Sequence, residues 1–201
     1  DAIDNSAGVD TSDHEVNIKI LLAAPMAAGE LAIEQRNELL ASMTDEVAAL
    51  VLSHNLDQNL ALSNSMFRAA ELTGAYEGWM QALEEAGYLD RGLEFLPTGK
   101  QLDARREGGH GLTRPELATL LAWTKIYLTD QVLASNLPDD PYLADRLIQY
   151  FPSELQQRYA AEMPRHRLAR EIITSVAVNR FVDSQGITAY YRLHNETNAA
   201  V

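Results

Sequence analysis

Thr113, Arg114, Pro115 and Glu116 form the most specific local instruction in this chain. A hydroxyl is placed to cap free amides, a proline follows in the first turn, and a glutamate three residues on can reach back to the capping residue's amide. Leu117, Leu120, Leu121, Thr124 and Leu128 then recur at helical spacing, so this helix buries one face. The same period returns elsewhere. Thr44 caps a stretch with Asp45 and Glu46 in its first turn and Val47, Leu50 and Val51 on one face, running towards Leu72. A break is expected around Thr73 and Gly74, then a helix over Tyr76 to Ala86 ended by Gly87. Gln101 to Glu107, Tyr142 to Tyr150, a short piece after Pro152, and Arg165 to Ser184 with the stripe Leu168, Ile172 and Val176 complete the set. No segment alternates β-branched residues as a sheet would require, and no fixed repeat occurs. The expected class is all-α, an irregular multi-helix bundle.

Composition narrows the partners. The 201 residues carry a formal charge of −13, which opposes a polyanion, so no nucleic-acid role is expected. No apolar run reaches the roughly 18 residues of a membrane span, so no membrane role is expected either. The chain has 0 cysteines, which removes disulfides and thiolate metal sites and agrees with a cytoplasmic location. It opens on Asp1 with no charged-then-apolar leader, and reads as a chain whose translated start lies upstream.

The opening is set apart by polarity. Ser12 or Asp10 is placed to cap a short helix over Asp13 to Leu22, and Pro25 and Gly29 end it, which puts a seam here. Asp1, Asp4, Asp10, Asp13, His14 and Glu15 could be imagined around a hard cation. Neither an EF-hand loop nor an HExxH helix is present, and these carboxylates read as solvated or capping groups, with no metal site expected. His54, His110, His166 and His194 lack ligand spacing and read as surface or capping histidines, while Trp79, Trp123, Tyr127 and Phe151 read as core or interface aromatics.

Asn5, Ser6, Ala7, Gly8, Val9, Asp10, Thr11, Ser12, Asp13, His14 and Glu15 resemble the NAGGVxxSxxE strip of glutamate dehydrogenases. Further segments resemble the very long bacterial NAD-dependent branch of that family: MTDEVAALVL, LDRGLEFLPT, GLTRPELATLLAWTKI, LPDDPYLADRLIQYFP and HRLAREIITSVAVNRFV, in order along the chain. The resemblance implies that residues 1–22 are a short remnant of the α/β catalytic and nucleotide-binding domain, followed by a helical domain over 23–201. It implies a Gly-rich turn that brings Asn5 beside the nicotinamide of NAD, with Val9 against the aliphatic part of glutamate. Ser12, at a helix start, would hold the substrate's distal carboxylate. Free amides and a hydroxyl at a helix N-terminus suit that task. Ala7 stands where the family has the first glycine, and Asp13 and His14 stand at positions that are commonly aromatic.

No GxGxxG is present, and Lys19, Lys100 and Lys125 lack the family's catalytic context, so no catalytic residue is expected in this chain. The implied parent reaction is oxidative deamination of L-glutamate to 2-oxoglutarate and ammonia with NAD, in a homo-oligomeric enzyme, the isolated chain being inactive. Two other readings stay open. The helical region would be a non-catalytic interaction or regulatory module for the parent, or the whole chain a free-standing acidic adaptor.

Overall fold

A computed structural model describes residues 2–197, with side chains from residue 5 onward. Ten α-helices and three short 3-10 turns make up the regular structure of the described residues, which contain no strand. No helix among them is long and apolar enough to cross a membrane. The chain divides into two units: residues as far as Leu56 with Asn136–Ala177, and Asp57–Ser135 with the chain from Val178 on. The division falls inside two helices, α3 (Thr44–Phe67) and α9 (Ala169–Gln185).

The first unit holds α1 (Ala2–Ala27), α2 (Ile33–Ser42), the start of α3, α7 (Ala144–Tyr150), α8 (Ser153–Tyr159) and the first half of α9. Ile18, Leu21 and Leu22 of α1 are almost wholly buried with Leu39, Met43, Leu147, Phe151, Leu155, Met163, Ile172 and Ile173. Removing this apolar area from water is the main force holding the unit together. Polar ties fix register: the Glu46 carboxylate accepts from the Ser153 amide and hydroxyl, each at 2.9 Å, and so caps α8 from another helix.

The second unit holds the rest of α3, α4 (Thr73–Glu85), α5 (Gly99–Glu107), α6 (Arg114–Ala134), the end of α9 and α10 (Ala189–Thr197). Its core joins Tyr76, Trp79, Met80 and Leu83 of α4 to Leu117, Leu120, Leu121 and Leu128 of α6, all buried. The Trp79 indole donates to the Thr124 hydroxyl at 2.7 Å, which in turn donates to the Leu120 carbonyl at 2.7 Å, so both polar groups are satisfied inside the core. Tyr127 and Tyr190 approach the Trp79 ring edge-on. Lys125 and Asp183 pair at 2.9 Å with both side chains largely buried.

The capping box forms as its sequence dictates, with the Glu116 carboxylate accepting from the Thr113 amide at 2.7 Å. Arg105 adds a two-pronged grip on the same carboxylate at 2.7 and 2.9 Å. Gly87 ends α4 at φ 78°. Its amide donates to Glu84 and the next amide to Leu83, at 3.0 and 2.9 Å, a left-handed cap that glycine adopts without steric cost. Gly111 is required for space, since a side-chain carbon there would run into the Ala69 backbone.

Four expectations are corrected. The Gly-rich turn over Asn5 to Asp10 is absent: α1 runs from Ala2 through that strip and past residue 22 to Ala27. Gly8 costs a helix only about 1 kcal/mol, and Ala2, Ala7 and Val9 offer no stop signal. Pro25 lies within the last turn of α1, and Gly29, just beyond its end, turns the chain at φ 75°. Helix α3 stops at Phe67 rather than near Leu72, and Thr73 and Gly74 open α4 rather than break it. The last long helix begins at Ala169, because Met163–Arg165 forms a separate 3-10 turn around Pro164. The residues after Thr197, like Asp1, lie outside the described residues.

Candidate functional site

One helix presents two faces. Asn5, Val9, Ser12 and Val16 recur at i, i+4, i+7 and i+11 along α1 and share its outward side, with Val9 59% and Val16 47% exposed. On the opposite side His14, Asn17, Ile18, Leu21 and Leu22 are buried. The helical period thus groups the three residues marked for substrate and cofactor on a single exposed strip. Two details differ from expectation. Ser12 lies in mid-helix, so no free amides of a helix start surround its hydroxyl. Gly8 faces open space, where a side-chain carbon would meet nothing within 4 Å.

The buried face carries a polar network that the sequence does not announce. His14 is 0% exposed and stacks on Tyr150, with ring centroids 4.4 Å apart and planes 13° from parallel. Its Nε2 lies 3.8 Å from one Asp10 oxygen, while His54 Nδ1 of α3 lies 2.7 Å from the other. Burial pushes the His14 imidazole below the ordinary histidine value and His54 adds to this, while Asp10 opposes it, so the ring is neutral at pH 7. Burial, and then the Asp10 charge, raise the Asp13 carboxyl.

Asn17 Nδ2 donates to the Tyr150 hydroxyl at 2.8 Å. Burial is the main reason that the Tyr150 phenol is pushed up to about 12. The backbone carbonyl of Asn17 lies 3.0 Å from His166 Nε2, and the Leu168 amide donates to His166 Nδ1 at 3.1 Å. Since Nδ1 accepts, Nε2 carries the proton and donates, which fixes the tautomer. His166, expected on the surface or at a cap, is instead a buried structural tie between α1 and the turn before α9.

The structure brings together Asp10 and His14, set aside in the sequence as solvated or capping groups, and His54, read there as a surface or capping histidine. The Asp10/His14 spacing of i, i+4 puts two ligand-type side chains on one helical face and is visible in the sequence. His54 comes from another helix 44 residues from Asp10, and no local pattern reveals it. The side chains of Asp1 and Asp4 lie outside the described residues. Lys19 pairs with Glu15 on the surface of α1, and Lys125 is held by Asp183, so neither is a free proton carrier.

Residues 1–65 match a family model described as the catalytic domain of bacterial NAD-glutamate dehydrogenase, and residues 109–201 match one described as the C-terminal part of glutamate dehydrogenase. A protein of Mycobacterium tuberculosis named NAD-specific glutamate dehydrogenase is 48% identical over 96% of this chain. Proteins of the same name from Pseudomonas aeruginosa and Halomonas elongata are 47% and 44% identical over 98% and 99% of it. The chain spans about 12% of the length of these relatives. With these relatives matching nearly its whole length and both family models agreeing over the residues they match, the chain belongs to the bacterial NAD-specific glutamate dehydrogenases.

Proposed function

We propose that this chain works as part of an NAD-dependent enzyme that oxidatively deaminates L-glutamate to 2-oxoglutarate and ammonia, and that the outward strip of α1 is its contribution to the substrate cleft. The observation that carries this reading is the grouping of Asn5, Val9 and Ser12 on one exposed helical face, within the segment matched to the catalytic domain. Ser12 binds the distal carboxylate of glutamate, Val9 packs on its methylenes, and Asn5 lies towards the nicotinamide. Hydride transfer needs the α-carbon of glutamate held against the cofactor, and the strip supplies positioning rather than proton transfer. The phosphate-binding turn and the catalytic lysines come from elsewhere in the parent, since no GxGxxG occurs here.

The test is steady-state kinetics on the full-length enzyme with Ser12→Ala. A hydrogen bond to a charged carboxylate is worth about 1.5–3 kcal/mol, so KM for glutamate should rise about 10- to 100-fold while KM for NAD changes little. Equal effects on both would refute the assignment of Ser12. We read the helices that follow, within residues 109–201 matched to the C-terminal model, as a non-catalytic assembly or regulatory module of the same enzyme.

A further inference from the structure

We infer that Asp10, His14 and His54 form a binding site for one divalent transition-metal ion of the zinc class, pinning α1 to α3 in the first unit. One ligand atom from each residue lies within 4.8 Å of the other two. A four-coordinate zinc ion with bonds of about 2.0–2.1 Å holds its ligand atoms about 3.3 Å apart, a spacing that side-chain adjustment reaches from a cluster whose His54 Nδ1 and His14 Nε2 lie 2.7 and 3.8 Å from the two Asp10 oxygens. The two oxygens of Asp10 point one to each imidazole, so a single carboxylate faces both nitrogen ligands. Two imidazoles and a carboxylate are a borderline-soft donor set that suits zinc or cobalt better than calcium or magnesium.

An independent observation comes from His14. Its side chain is 1% exposed, and neither ring nitrogen has a hydrogen-bond partner. A buried imidazole left unsatisfied costs free energy, and a bound ion removes that cost at the nitrogen facing Asp10. The His14 ring is held in place from one face. Tyr150 stacks on one side of it and fixes its plane. The Asp10 and His54 side chains are 24% and 39% exposed, so the cluster is reachable from solvent. The outward strip with Asn5, Val9 and Ser12 lies on the opposite side of α1, so the ion has a structural task and does not touch the proposed substrate face.

The test uses the untagged 201-residue chain stripped with a chelator, titrated with zinc by calorimetry and with cobalt by visible absorption. One equivalent should bind with micromolar or tighter affinity and give the d–d bands of a low-coordinate, nitrogen-ligated cobalt ion. His54→Ala, at a half-exposed position that the core does not need, should weaken binding at least about tenfold, as should Asp10→Asn. His14→Ala should do the same, and if it fails to fold the other two variants carry the decision. His110→Ala and His194→Ala should bind as the parent chain does. Absence of one-to-one binding, or binding that survives both His54→Ala and Asp10→Asn, would overturn the site.

Discussion

Thr124 shows how much a single polar atom decides inside the second unit. Its hydroxyl accepts from the Trp79 indole and donates to the Leu120 carbonyl, and the residue is 1% exposed. Thr124→Val keeps the shape and removes the acceptor, leaving a buried indole N–H unpaired. Loss of about 1–3 kcal/mol is expected, read as a lower urea midpoint with unchanged slope. An unaltered midpoint would mean that the indole finds another acceptor. The pairing itself was hidden from sequence: Thr124 reads there as one more member of an apolar stripe, and Trp79 lies 45 residues away. The same blindness applied to His14 and His54, whose meeting depends on how α1 and α3 pack. Family resemblance marks Asn5, Val9 and Ser12, but their sharing one helical face was hidden, because the strip reads there as a turn and the structure carries α1 through it.

Elements were read well wherever their signals are local. The Thr113 to Glu116 cap and the Gly87 stop act through neighbouring backbone, and both formed as their chemistry requires. Ends without such punctuation were misplaced, as at Phe67 and Thr73, and α1 ran through a strip that family resemblance marks as a turn. The start of α6 also carries a pH signature. Burial alone would raise the Glu116 carboxyl, but the hydrogen bonds from Arg105 and Thr113, with the Arg105 charge, hold it below the ordinary glutamate value. A carboxyl depressed in the folded state adds stability above its unfolded pKa, and that stability is lost as pH falls through the folded value. Glu116→Gln should therefore be less stable than the parent chain at neutral pH. The difference should shrink below about pH 4, where the unfolded glutamate binds its proton. Urea midpoints across that range check this, and a gap that persists undiminished in acid would contradict it.

Across the whole molecule the two faces of α1 divide the labour. Its inner face builds the first unit through Ile18, Leu21 and Leu22 and gathers Asp10, His14 and His54. Its outer face leaves Val9 and Val16 in water, an apolar strip within the segment matched to the catalytic-domain model. All-α architecture and family membership were legible in the sequence because helical period and collinear segments extend along the chain. The inner polar cluster was not, since long-range packing creates it. Thiol labelling of Val9→Cys tests the central claim most directly, because the chain has 0 native cysteines and a site-resolved mass reading separates the new thiol from those of the full-length enzyme. The account predicts rapid labelling in the 201-residue chain, at least about tenfold protection in the full-length enzyme, and further protection when glutamate is added. Equal labelling in chain and enzyme, indifferent to glutamate, would contradict it.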